Sequence, residues 1–98
     1  MSISPRQYGR MAMFYLEEAV LVVLADNYDE GYGIGAADIG QRTGIYREPG
    51  IAQMNDAIVT GVLNSLNEEG RVVRAPQANG RGGWKLTASE YNRRREDV

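Results

Sequence analysis

The amino-acid sequence predicts a mainly α-helical domain that carries one small β-hairpin, an α+β class. Two observations lead to this expectation. Apolar residues recur at helical spacing in the first and third quarters of the chain, and two short apolar segments separated by a glycine-rich polar stretch follow near the C-terminus. A chain of 98 residues has room for one modest core, so we expect 1–98 to form a single domain.

The first helix is expected over 5–27. Ser4 is a favourable N-cap residue, and Pro5 is tolerated in the first helical turn. The run at 20–24 is apolar without interruption, so this part of the helix should be buried on all sides. Upstream of it, apolar residues recur at helical spacing, namely Met11, Phe14, Tyr15 and Ala19.

The middle of the chain predicts a short non-helical segment and two further helices. The glycine-rich stretch 31–35 should be a short extended piece or turn. A second helix is expected over 36–43, with Gly44 as its C-terminal stop. A third helix is expected over 55–69, with Asn55 or Asp56 as its N-cap. Its apolar stripe consists of Val59, Val62, Leu63 and Leu66.

The hairpin is expected over 71–86, with strands at 71–75 and 84–86 joined by a polar loop. Thr87 and Glu90 match a capping box, which predicts a last helix over 88–96. The resulting order is helix, short extended piece, helix, helix, hairpin, helix. This is the layout of a winged helix-turn-helix domain, in which the third helix is the recognition helix and the hairpin is the wing.

Three segments resemble bacterial winged-helix transcription regulators. Residues 63–72 are similar to the end of their recognition helix, and Trp84-Lys85-Leu86-Thr87 is similar to the segment that closes their wing. Residues 20–27, followed by Gly31-Tyr32-Gly33-Ile34, resemble the first helix and Gly-Tyr-x-Ile segment of PadR-like regulators. The resemblance covers nearly the whole chain and implies a DNA-binding regulator. The chain departs from the PadR pattern at Thr60, where a tyrosine is frequent, and in a longer segment at 46–54.

Composition excludes several other functions. The chain has no cysteine and no histidine, which removes disulfides, Cys/His zinc sites and histidine acid–base catalysis. The segment 31–35 lacks the third glycine and the preceding strand of a dinucleotide-binding fingerprint. We therefore expect no enzyme activity, no metal and no cofactor. The longest apolar run, 19–25, is too short to span a bilayer, and 1–10 lacks the core of a secretory signal, so we expect a cytoplasmic protein without a membrane partner.

Charge is distributed unevenly although the net charge is only −2. Residues 17–31 contain five acidic and no basic side chains, whereas 71–87 contain four basic and no acidic ones. Basic side chains on a hairpin are suited to phosphate contacts. With the polar residues of the second and third helices, they form the predicted surface for double-stranded DNA: Arg42, Arg47, Asn55, Thr60, Gly61, Asn64, Arg74, Asn79, Arg81 and Lys85.

Each role has an alternative. The amides of Asn55 and Asn64 suit adenine edges in the major groove, but Asn55 alternatively serves only as an N-cap. Gly61 would let the backbone approach DNA closely. Arg81 at the wing tip suits a narrow minor groove, and the alternative is a merely solvated hairpin. The third helix has no lysine or arginine, which favours a second hypothesis, a protein–protein interaction module without DNA binding.

The remaining prominent residues receive structural interpretations. Trp84 on the return strand is expected to pack in the core. The run 93–95 of three arginines is offset by nearby acids and is expected to be a solvated face. Large apolar side chains crowd several faces of the first helix, which favours a homodimer. The predicted dimer interface comprises Met11, Met13, Phe14, Tyr15 and Tyr91.

Overall fold

The computed structural model describes residues 2–44 and 52–96, with side chains in the second range described from 57 onward. This part of the chain is mainly helical and contains a two-stranded antiparallel hairpin, which confirms the α+β class. No helix in it is long and apolar enough to cross a membrane. The elements are α1 (Pro5–Asn27), a 3-10 turn (Tyr28–Glu30), α2 (Ala36–Thr43), α3 (Ala52–Glu68), β1 (Val72–Pro76), β2 (Gly82–Leu86) and α4 (Ala88–Glu96).

Helix α1 has the predicted bounds, and a capping box between Ser4 and Gln7 fixes its N-terminus. The Gln7 amide donates to Ser4 Oγ (3.3 Å), and the Ser4 amide donates to Gln7 Oε1 (2.8 Å). The prediction that 20–24 is buried on all sides is wrong, because only one face of α1 meets the core. Val22 is 47% exposed, whereas Val20 and its core neighbours are covered.

The segment between α1 and α2 lies alongside β2 and adds a one-residue bridge to the hairpin. Ile34 forms an isolated antiparallel bridge with Trp84, so the expected short extended piece is confirmed. The buried Asn27 side chain donates to the Tyr32 carbonyl (3.0 Å) and holds the turn that precedes it. At Gly33 a Cβ atom would lie 2.3 Å from the Ala75 carbonyl oxygen, so this close strand approach requires glycine.

Helices α2 and α3 pack against each other and against α1. Gly44 ends α2 in a left-handed conformation (φ 73°), as predicted. Helix α3 begins at Ala52, so the predicted start at 55 and the N-cap at Asn55 or Asp56 are wrong. Ala, Gln and Met at 52–54 favour helix, and they extend it by nearly one turn. The predicted core stripe is confirmed: Val59, Val62, Leu63 and Leu66 are buried.

The hairpin and α4 close the domain. Val72 pairs with Leu86 and Arg74 with Trp84. Thr87 Oγ1 accepts the Glu90 amide (3.2 Å), which confirms Thr87 as the cap of α4. The Glu90 carboxylate binds arginines instead of completing a capping box. The buried core combines residues of the first three helices, the bridge at Ile34 and both strands: Val20, Leu21, Leu24, Ile34, Ile39, Val59, Val62, Leu63, Leu66, Val72, Trp84 and Leu86.

Candidate nucleic-acid interface

The hairpin is anchored to the core by one of its faces. Val72, Trp84 and Leu86 are buried on that face, and the β1–β2 register places Arg74 directly opposite Trp84. The strands are therefore held by packing, whereas the loop residues at 78–82 are exposed. Packing of the two strands thus fixes the position of the loop that carries Arg81 relative to the core.

The loop at 77–81 is held by its own hydrogen bonds. The Gln77 amide donates to the Arg81 carbonyl (2.8 Å), and the Gly80 amide donates to the Gln77 carbonyl (2.9 Å). Asn79 Oδ1 accepts the Arg81 amide (2.9 Å). The Asn79 side chain, a predicted DNA contact, therefore orients the backbone that carries Arg81.

Three cations of the hairpin lie against aromatic rings or in solvent. The Arg74 guanidinium carbon lies 4.5 Å from the centroid of the Trp84 ring, and Lys85 Nζ lies 5.2 Å from that of Tyr28. Arg81 is exposed in the loop. Among the described side chains, those of 2–44 and 57–96, none of these three makes an ion pair. Because Arg74 and Lys85 occupy neighbouring register positions, they project from opposite faces of the hairpin.

The fourth cation of this segment, Arg71, belongs to an internal cluster. Its Nε donates to Glu90 Oε1 (3.0 Å), and its other nitrogens lie 3.7 Å from Glu69 and 3.9 Å from Glu18. The hydrogen bond that Arg71 donates to Glu90 is the main reason that the pKa of Arg71 is raised. Of the four basic side chains at 71–87, three therefore remain without an acidic partner among the described side chains.

Glu90 is the centre of this cluster and is only 5% exposed. It accepts from Arg71 and from Arg93 Nη2 (2.8 Å), and Arg94 lies 3.7 Å away. Burial alone would raise the pKa of Glu90, but the hydrogen bonds from Arg71 and Arg93 outweigh it, so the pKa is lowered. Arg94 also donates to Glu18 (3.3 Å), which ties α4 to α1.

The expectation that 93–95 is a solvated face is therefore wrong for Arg94, whose side chain is only 22% exposed. Sequence patterns could not reveal the Arg94–Glu18 pair, because the two residues are 76 positions apart. Arg95 lies above the ring of Tyr91, at 5.6 Å. Arg93 and Arg94 of α4 thus pair with acidic side chains, whereas Arg95, like Arg74 of the hairpin, lies over an aromatic ring without an ion pair among the described residues.

The outward side of α3 carries small and polar residues beside one exposed isoleucine, Ile58. Gly61 and Asn64 are exposed and Thr60 is half-buried, and a Cβ atom at Gly61 would meet nothing within 4 Å. The side chain of Asn55 and the whole of Arg47 lie outside the described residues.

Arg42 on α2 forms a two-pronged ion pair with Asp38, both distances 3.1 Å, so its charge is partly balanced.

The predicted dimer residues fall into two groups. Met11, Phe14 and Tyr15 are exposed on α1. Met13 and Tyr91 instead pack against the core, and the Tyr91 ring stacks on Tyr28 with centroids 3.8 Å apart. Contacts within the chain thus account for the second group, but not for the first.

No family model, curated protein or solved structure matches this chain. The features that indicate a function are the hairpin cations without acidic partners and the small and polar residues exposed on α3.

Proposed function

We propose that this protein is a winged helix-turn-helix transcription regulator that binds double-stranded DNA sequence-specifically. Helix α3 lies in the major groove, and the β1–β2 hairpin is the wing. The observation that carries the proposal is the distribution of ion pairs: Arg71, Arg93 and Arg94 pair with acidic side chains, whereas Arg74, Arg81 and Lys85 of the hairpin have no acidic partner among the described side chains.

The hairpin supplies affinity and α3 supplies selectivity. Arg81, held on a hydrogen-bonded loop, contacts the phosphate backbone or enters the minor groove. The Asn64 amide offers the donor and acceptor pair that suits an adenine edge. Because Gly61 lacks a side chain on this outward face, the helix backbone approaches the bases closely.

Salt dependence measures the hairpin's contribution. Each phosphate neutralised adds about −0.9 to the slope of log affinity against log salt concentration. Three hairpin cations that each contact a phosphate give a slope of roughly −3 for one copy of the domain. Fluorescence anisotropy with a duplex from the protein's own upstream region, and with a scrambled duplex, provides both the slope and the selectivity.

Arg81→Ala and Arg74→Ala should each weaken binding to both duplexes and reduce the slope by about one. Arg95→Ala removes the same charge from α4, outside the proposed surface, and is the matched control. Equal effects of Arg81→Ala and Arg95→Ala would show that only net charge matters and would refute the role of the wing.

Helix α3 has its own test. Gly61→Ala adds helix propensity at a site with free space, so it should stabilise the fold by about 0.5–1 kcal/mol. The added methyl group lies where DNA would approach, so binding to the specific duplex should nevertheless fall. Asn64→Ala should reduce discrimination between the two duplexes without changing the salt slope. Unchanged selectivity in both variants would remove α3 from the interface.

A second candidate function is a protein–protein interaction module. It is favoured by the absence of lysine and arginine from 52–68 and by the exposure of Ile58 on α3 and Val73 on β1. Equally feeble binding of the upstream and scrambled duplexes at low salt would favour it over DNA binding.

A further inference from the structure

The glycine-rich segment 31–35 contains three glycines, and the backbone requires only one of them. Gly31 has a left-handed conformation (φ 83°), which favours glycine. The close approach of β1 accounts for Gly33. Gly35 precedes α2 and has an ordinary extended conformation (φ −74°, ψ 156°). A Cβ atom at Gly35 would, however, lie 2.8 Å from Nε2 of Gln77, so a glycine here makes room for a glutamine of the hairpin.

The half-buried side chain of Gln77 connects the hairpin loop to this segment. A Cβ atom at Gly83 would lie 2.8 Å from Gln77 Cγ, so the side chain is confined between Gly35 and Gly83. Its Nε2 donates a short hydrogen bond (2.7 Å) to the Gly82 carbonyl on the other side of the loop. One side chain therefore both closes the loop at 77–81 and contacts the start of α2.

The loop and α2 face each other across a cleft of about 180 Å³. Arg42 of α2 lines one side of it, and Gln77 and Asn79 of the loop line the other. Arg42 and Asn79 both belong to the predicted DNA surface, although they lie on elements that are far apart in the sequence. Because Gln77 contacts the residue that precedes α2, its side chain determines how the loop sits relative to Arg42.

We propose that Gln77 is a positioning residue for DNA binding. Its side chain docks the loop at 77–81 on the start of α2 and fixes the separation of Arg42 from Arg81 before DNA arrives. A loop that is ordered in advance loses less conformational entropy on binding, so the same cations give a higher affinity. The inference rests on the proposed function, because it concerns how the same DNA surface is assembled.

The order of the loop in the free protein tests the docking without DNA. Nitrogen-15 relaxation of wild type should give amide order parameters of about 0.85 at 78–81, as for rigid backbone, and Gln77→Ala should lower them to about 0.6. Gln41→Ala removes the same side chain from an exposed site on α2 and should leave them unchanged. A loop that stays as ordered in Gln77→Ala as in wild type would overturn the proposal.

Gly35→Ala is a second perturbation, which keeps Gln77 but displaces it. The new methyl group meets the end of a flexible side chain, so the fold should persist while the order at 78–81 falls. In the double variant the methyl group enters space that Gln77→Ala has vacated, so no further order should be lost. Any effect on the start of α2 is present in both backgrounds and cancels. Additive losses would show that the two residues act independently, which contradicts the docking.

Duplex binding separates positioning from charge. Gln77→Ala should weaken affinity for the upstream duplex roughly threefold to tenfold and leave the salt slope unchanged, because no cation is removed. Arg81→Ala, by contrast, lowers the slope. Unchanged affinity, or a lowered slope, in Gln77→Ala would refute the positioning role. Absence of duplex binding by wild type would instead refute the proposed function, and the order of the loop would still decide whether Gln77 docks it.

Discussion

The cluster around Glu90 should be a major source of stability, and Glu90→Gln tests it. The amide keeps the shape of the side chain but removes the charge that faces Arg71, Arg93 and Arg94. Removing one partner of a buried ion pair costs about 3–5 kcal/mol. Arg71 retains Glu69 and Glu18 within 4 Å and is 24% exposed, so solvent and these acids offset part of the loss.

We therefore expect Glu90→Gln to lower the free energy of unfolding by about 2 kcal/mol at pH 7, which lowers Tm by roughly 10 °C in a domain of this size. The pKa of Glu90 is lowered in the folded state. Its contribution is therefore fully present above the unfolded-state pKa of about 4.3, and it is lost as the pH falls through the folded-state pKa. The gap between wild type and variant should shrink at pH 3.

Urea denaturation followed by far-ultraviolet circular dichroism measures this gap at both pH values. Glu96→Gln is the matched control, because Glu96 is exposed on the same helix. Two results would refute the reasoning. Either Glu90→Gln is as stable as Glu96→Gln at pH 7, or its deficit stays the same between pH 7 and pH 3.

Two further substitutions test local features. Gly33→Ala would place a methyl group 2.3 Å from the Ala75 carbonyl oxygen and 2.9 Å from the Trp84 nitrogen, so it should destabilise the fold by about 2 kcal/mol or more. Gly9→Ala is the control, because the space around Gly9 is free and the change should not destabilise the fold. Equal Tm values for the two variants would contradict the close approach at Gly33. Burial, with Glu69 nearby, raises the pKa of Glu17, so its charged form opposes folding. Glu17→Gln should therefore stabilise the protein at pH 7, by an increment that disappears as the pH falls through the raised pKa, and a constant increment in a urea-denaturation series would contradict this.

Local signals in the sequence predicted most of the fold. The bounds of α1, α2 and α4 follow from short-range chemistry: the Ser4 cap, the left-handed Gly44 and the Thr87 cap. The start of α3 was misplaced because Asn55 is a favourable cap by type, and a cap preference does not prevent helix formation upstream. Val22 was misjudged because an unbroken apolar run does not reveal how wide a face the core covers.

The candidate interface was harder to predict from the sequence, because contacts between distant segments determine which basic side chains are paired with acids. Arg71 appeared to be one of four hairpin cations, yet it pairs with Glu90, 19 residues away. Arg94 appeared to be solvated, yet it pairs with Glu18 across the domain. Counting charges within a window cannot separate cations that hold the fold from cations that face a ligand.

The homodimer expected from the sequence and the proposed DNA binding have one common physical consequence. Helix α3 has no cation, so a single copy would depend largely on three hairpin side chains for its electrostatic affinity, with a salt slope of roughly −3. A two-fold pair doubles the number of engaged phosphates and raises the slope to roughly −5. The two domains would then occupy half-sites related by the same two-fold axis. A domain whose third helix has no cation therefore gains more from pairing than one whose recognition helix is itself basic.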